Sequence, residues 1–283
     1  MQGRRCIWYL TIALLVWAAR PYAAEPQMAA HCINVGQADA TLLEFPCGAV
    51  LIDAGAQDDA AANHLMQYLS TFFQRRRDLS NTLSTIFITH PHKDHTFALR
   101  RVVQSYSVGH FVESGQDYGS GIANVKWVRS VASQKHIEIK PVLNSEVMRN
   151  GNKSGLTDRH FDSLRCPNCD PEIVVFSGQW DEDPGWSKSE YRNNNDHSLV
   201  IRVEFGDSSF LFPGDLEEDG IKSLLAYYSN TLDFNEVAKI IVWSFLAGFA
   251  ERLVPDRLEQ LAHNGSPSSS TAGGSEKPVD RQG

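Results

Sequence analysis

The stretch 88–96, ITHPHKDHT, constrains this chain most, because it places three of its ten histidines and one aspartate within six residues. Upstream, Leu83-Ser84-Thr85-Ile86-Phe87-Ile88 is rich in β-branched and aromatic residues, so a strand is expected to run into the cluster. Pro91 biases His90 towards an extended backbone. Residues two apart in an extended chain point the same way, so His90 and His92 can converge on one point. Phe97-Ala98-Leu99-Arg100-Arg101-Val102-Val103 then has the apolar spacing of a helix packed on one face. The intervening turn re-aims Asp94 and His95, which gives two pairs of donors for two ions. Imidazole and carboxylate are shared ligands of zinc, iron and manganese, so the cluster alone does not choose the metal.

The flanking sequence alternates strands and helices. Ala49-Val50-Leu51-Ile52-Asp53-Ala54-Gly55 is a nearly continuous apolar strand that delivers a carboxylate at its end, as a strand covered on both faces does. A helix from about residue 57 to 77 follows. Beyond the cluster come a strand over 108–113, a helix over 122–134 and a strand over 137–142, which together predict an α/β fold. Residues 144–170 are polar and read as a long surface excursion. Trp180, Trp186 and Tyr191 lie in a second loop, where a substrate groove and a small satellite core are equally good readings. Residues 198–205 and 209–212 form a hairpin that ends in Pro213-Gly214-Asp215. His197 enters this hairpin as Asp215 leaves it, so the two are expected to be neighbours.

Residues 1–24 differ from the rest. Arg4 and Arg5 precede an apolar run shorter than the roughly 20 residues that span a bilayer, and small residues close it, which is a signal-peptide pattern. The expected product is soluble, without a stable membrane anchor, and secreted or periplasmic. Loss of Arg4, Arg5 and Arg20 moves the formal charge from −8 to −11. Such an acidic chain gives nucleic acid no general electrostatic support as a partner. The run Arg75-Arg76-Arg77 is read as charge complementing a helix end. Four cysteines remain after cleavage. Cys32 and Cys47 lie on neighbouring strands and could face each other, and Cys166-Pro167-Asn168-Cys169 reads as a loop-stapling disulfide.

His90-x-His92-x-Asp94-His95, Leu51-Ile52-Asp53-Ala54-Gly55 and Phe212-Pro213-Gly214-Asp215 together resemble the motifs of the metallo-β-lactamase superfamily over about residues 29–235. The segments I33-N-V-G-Q-A-D-A-T41 and N195-D-H-S-L-V-I201 are most similar to the branch typified by the hydrolase-like domain of the ComEC DNA-uptake channel. The resemblance implies an αββα four-layer sandwich over 25–247. It implies zinc, one or two ions, with manganese as the alternative. His90, His92 and His197 would hold the first ion, Asp94 and His95 the second, and Asp215 would bridge them, with Asp53 supporting the cluster from behind. Asp94 would also orient the attacking water. His92 stands where di-iron relatives carry glutamate, so hydrolysis is favoured over redox chemistry.

The expected ending is altered. Leu261-Ala262-His263-Asn264-Gly265-Ser266 resembles the family's last histidine motif, but His263 follows a helix instead of a strand, so metal ligand and chance similarity both stand. Residues 248–283 read as a helix followed by a disordered Gly/Ser-rich tail, leaving the fold incomplete and the second ion short of a ligand. The functional expectation is an exported metal-dependent hydrolase of a small-molecule or phosphodiester substrate, nucleic acid included. A β-lactam or thioester hydrolase and a non-catalytic binding protein of the same fold are the alternatives.

Overall fold

In the computed structural model, residues 27–150 and 155–228 are described. Strands β1 (Ala29–Cys32), β2 (Thr41–Phe45), β3 (Gly48–Ile52), β4 (Thr82–Ile88), β5 (Ser107–Glu113) and β6 (Glu138–Pro141) form one sheet in sequence order. The first three pair antiparallel and the last four parallel. Parallel neighbours need crossovers. These are α1 (Asp59–Arg75), then α2 (Lys93–Thr96) with α3 (Leu99–Ser105), then α4 (Ile122–Lys135). After α5 (Asn144–Asn150), an antiparallel sheet of β7 (Glu172–Ser177), β8 (Val200–Phe205) and β9 (Ser208–Phe212) precedes α6 (Glu218–Tyr228).

The near-continuous apolar runs are explained by burial on both faces. Neighbouring residues point to opposite sides of a strand, so Leu42 and Leu43, both fully buried, enter different cores. Leu42, Leu51 and Ile86 meet Leu65, Leu69 and Phe72 of α1 and Val102 of α3. Leu43, Val50, Phe87 and Val112 meet Ile173, Val175, Ile201 and Val203 of the second sheet. The other face of that sheet, with Val174, Phe176 and Val200, is covered by Leu224 and Tyr228 of α6. Helices, sheet, sheet and helix therefore form the four expected layers. Each fully buried Leu or Phe side chain stabilises the stack by about 1.5–3 kcal/mol.

The polar excursion is less superficial than its composition suggests. Leu156, Phe161 and Leu164 from it are buried between the sheets, and Leu156 pairs with Val175. Scattered apolar residues in a polar segment were enough to close the open end of a core. Cysteine pairing also differs from expectation. Cys47 bonds to Cys166, while Cys32 is exposed and Cys169 half-buried, neither of them disulfide-bonded. Antiparallel register explains this: Cys32 pairs with Thr41, at the far end of β2 from Cys47. The arginine run ends α1 as expected, and Arg75 and Arg76 both grip Glu44 of β2, at 2.6 and 2.9 Å. Their guanidinium hydrogen bonds, Arg75 first and then Arg76, overcome burial and lower the Glu44 pKa to about 2.

Among the described residues no helix is long and apolar enough to cross a membrane. The expected leader over 1–24, the last part of the expected domain over 229–247, the altered ending over 248–283 and His263 within it all lie outside them.

Non-reducing peptide mapping is expected to recover Cys47 linked to Cys166, and Cys47→Ser should lower the unfolding free energy by about 3–5 kcal/mol, as the loop closed is long. A Cys166–Cys169 peptide would contradict this. Glu44→Gln should cost about 1–2 kcal/mol near pH 7. A depressed carboxylate contributes stability above its unfolded value and loses it as pH falls towards the folded one, here between about 4.5 and about 2. Urea midpoints of both proteins should therefore approach each other by about pH 3, and a constant gap would show that the arginines do not hold Glu44 ionised.

Candidate metal centre

The parallel strands end side by side, and their C-terminal ends carry the site. Asp53 follows β3 with a left-handed backbone (φ 55°), a conformation that aspartate tolerates better than most residues. Its carboxylate is fully buried. Thr89, at the end of β4, donates to it from its backbone N–H (2.8 Å) and its hydroxyl (2.7 Å), and His95 Nδ1 from α2 lies 2.8 Å away. The short α2 turn is pressed onto this edge. Ala54 N–H donates to His95 O and Asp39 N–H to Asp94 O, and a Cβ at Gly55 would collide with the Asp94 carbonyl at 1.5 Å.

The second sheet supplies the other wall. Leu199 N–H donates to Thr89 O (2.9 Å), which docks the start of β8 against the end of β4. After β9, Gly214 adopts φ 57°, and a side chain there would strike Thr89 and Ser198. That approach brings the Asp215 carboxylate to 3.3 Å from His95 Nε2 and 3.9 Å from His90 Nε2. His92 approaches the same nitrogen, its Nδ1 3.0 Å from His90 Nε2. His90, His95 and Asp215 each turn one ligand atom into a space where all lie within 4.8 Å of one another. Two imidazoles and a carboxylate at that spacing, with a further imidazole alongside, fit a divalent cation of the zinc or manganese kind.

The electrostatics of the two buried histidines are opposite. Burial, reinforced by the charge on His95, keeps the His90 pKa well below its ordinary value. Burial acts on His95 in the same direction, but the Asp53 and Asp215 carboxylates outweigh it and hold its pKa well above. Asp215 is itself lowered, because the His95 hydrogen bond and neighbouring histidine charges overcome the burial that opposes them. Asp53 engages His95 Nδ1 and leaves Nε2 directed at Asp215, the arrangement in which a carboxylate orients a metal-binding imidazole.

His197 is placed elsewhere. Its Nδ1 accepts the Trp180 backbone N–H (3.0 Å) and its Nε2 donates to Tyr191 O (2.9 Å). Its ring packs edge-on against Trp186 and Tyr191. Burial lowers its pKa against the opposing Tyr191 hydrogen bond, and both of its nitrogens are spent on backbone. The expectation that it would join the cluster fails because the loop aromatics form a satellite core around it. Asp94 is half-exposed and its carboxylate belongs to neither group of converging donors among the described residues. Two contributors went unrecognised in the sequence. Thr89, between the strand and the cluster, holds Asp53 by two hydrogen bonds, and Asp39 converges with Asp53 and His95 from the loop between β1 and β2. The break at Gly36, followed by an acid beside an apolar strand, was the available signal.

A four-layer αββα sandwich with histidines and carboxylates gathered at its strand ends defines a class of metal-dependent hydrolase folds. Residues 33–243 match the family model described as metallo-beta-lactamase superfamily, and the chain belongs to that superfamily. No curated protein matches it. Among solved structures it is similar to the metallo-β-lactamase fold protein YhfI from Bacillus subtilis, at 11% identity and TM-score 0.37, covering 66% of this chain and 61% of that one. A Cronobacter sakazakii metallo-β-lactamase with a HARLDQ motif gives 15% identity and TM-score 0.38, covering 71% and 68%. The short form of human tRNase Z gives 15% and 0.35, covering 70% and 73%. The chain thus spans about three fifths of the YhfI structure's length.

His197→Phe should leave metal content unchanged while lowering stability by about 2 kcal/mol, since the Trp180 N–H and Tyr191 carbonyl lose their partners. Urea unfolding and elemental analysis of the dialysed proteins check this, and loss of metal in the variant would make His197 a ligand after all.

Proposed function

We propose that this chain is an exported metal-dependent hydrolase whose substrate is a phosphodiester. The observation that carries the reading is the convergence of His90, His95 and Asp215 donor atoms within 4.8 Å, with His92 3.0 Å from His90. His90 and His92 would hold a first ion and His95 a second, zinc or manganese, with Asp215 between them. Export rests on the basic, apolar and small-residue pattern of residues 1–24. The substrate class rests on the ComEC-like segments I33-N-V-G-Q-A-D-A-T41 and N195-D-H-S-L-V-I201.

A divalent ion in such a cluster supplies Lewis acidity, lowering the pKa of water and offsetting the charge that develops on the reacting phosphoryl oxygens. The protein's own groups do the rest. Asp53, locked by two hydrogen bonds from Thr89, fixes the tautomer and direction of His95. Asp215 is brought in by a different sheet, so the substrate would be gripped where the two sheets meet. Asp94, half-exposed and next to His95 in the chain, would orient the attacking water and take its proton.

A second reading, a binding protein of the same fold without turnover, is favoured by two placements: His197 is consumed by its satellite core and Asp94 stands outside the converging donors. The experiment that separates them uses the full chain with bis(p-nitrophenyl) phosphate and a chromogenic cephalosporin. Diester hydrolysis, removed by chelation, restored by Zn²⁺ or Mn²⁺ and reduced to background by His92→Ala, is expected. Asp53→Asn should weaken metal affinity by about 10–100-fold by loosening the hold on His95. Cephalosporin turnover alone would replace the phosphodiester assignment, and full metal occupancy with neither activity would establish the binding protein.

A further inference from the structure

The segment Asn195-Asp196-His197-Ser198, just before β8, is where a third imidazole for the first ion was expected. Three of its four side chains are engaged elsewhere. Asp196 Oδ1 accepts the Gly220 N–H at the start of α6 (2.8 Å), His197 is bonded to backbone at both nitrogens, and Asn195 Nδ2 donates to Glu217 (2.6 Å). Ser198 differs. It is fully buried, and its Oγ has no hydrogen-bond partner among the described residues. An unpaired buried hydroxyl is costly in a folded protein and calls for an account.

The position of Ser198 supplies one. A Cβ built on Gly214 would lie 3.0 Å from Ser198 Cβ, 3.1 Å from its Oγ and 2.8 Å from Thr89 Cβ. Gly214 precedes Asp215, and Thr89 precedes His90. Ser198 is also joined to this edge through its neighbour, since Leu199 N–H donates to Thr89 O. The hydroxyl therefore sits where the two strand ends that carry His90 and Asp215 meet. The same segment holds a second buried oxygen without a partner, Asn195 Oδ1.

We propose that Ser198 Oγ is the oxygen donor that joins His90, His92 and Asp215 around the first ion, in place of the expected imidazole. The proposal rests on the metal centre of the preceding section and assigns its composition. A neutral hydroxyl is a harder and weaker ligand than imidazole, so the exchange shifts the centre's preference from zinc towards manganese. It also explains how a chain whose histidine in this segment is committed to the scaffold retains a usable first site.

Serine and cysteine are nearly the same size, which permits a direct test in the full chain. Metal-free wild type, Ser198→Ala and Ser198→Cys would be melted with and without Mn²⁺ or Zn²⁺, affinities measured by chelator competition, and Co²⁺ spectra recorded. Mn²⁺ and Zn²⁺ should both raise the wild-type melting temperature. Metal-free Ser198→Ala should melt no lower than wild type, because only an unpaired hydroxyl is lost, while its Mn²⁺ affinity falls about tenfold or more. Ser198→Cys should gain Zn²⁺ affinity and show a thiolate-to-cobalt charge-transfer band that wild type, with the same native cysteines, lacks. Wild-type Mn²⁺ affinity in Ser198→Ala, or a folded Ser198→Cys without the band, overturns the assignment. Wild type that responds to none of the three ions would instead overturn the metal centre itself.

Discussion

The buried Asp53 carboxylate is the interaction on which the site depends. It accepts two hydrogen bonds from Thr89 and engages His95, so the end of β3, the end of β4 and the α2 turn meet at one side chain. A carboxylate removed from water is tolerated only when its oxygens are fully engaged. The requirement works in both directions. Asp53 can stay in the core only if Thr89 and His95 hold their places, and those places are the ones that point His95 Nε2 at Asp215. The left-handed backbone at Asp53 and the close contact of Gly55 with Asp94 are the local costs of bringing the turn so near.

Around that node the sandwich separates its working end from its braced end. The centre lies beyond Ile52 and Ile88, where β3 and β4 finish. The Cys47–Cys166 disulfide joins the turn before β3 to the loop before β7, at the opposite end of the same strand. Between them runs the inter-sheet core of Leu43, Val50, Phe87, Val175 and Ile201. Asp215 reaches His90 and His95 from the second sheet only while that core keeps the two sheets in register. Packing far from the donors thus sets the distances among them.

Much of this was legible in the sequence, and the rest was hidden for identifiable reasons. The strand leading into His90, the delivery of Asp53 and Asp215 at strand ends and the alternation of strands with helices follow from periodicity and glycine placement, which are local, whereas the αββα layering was implied by the resemblance of the motifs to the superfamily. The disulfide was misjudged because strand register, not proximity along the chain, decides what Cys47 can reach. The loop 144–170 was misjudged because composition averages over Phe161 and Leu164, which a core needs singly. Asp39 and Thr89 were missed because a carboxylate or hydroxyl becomes informative only when its neighbours from other segments are known.

His197 shows the same limit in its sharpest form. Its sequence position, at the start of a hairpin that ends in Asp215, is as suggestive as that of His90. What separates them is the use of each ring nitrogen after folding. Both His197 nitrogens are consumed by backbone groups of Trp180 and Tyr191, and its faces by Trp186 and Tyr191. His95 gives one nitrogen to Asp53 and turns the other to Asp215, and His90 places its Nε2 between His92 and Asp215. A side chain whose polar atoms are all satisfied by the fold has nothing left for a ligand. One that keeps a ligand atom directed at others of its kind, as His90, His95 and Asp215 do, still has that atom to offer, and this difference in the use of polar atoms is what separates those three from His197.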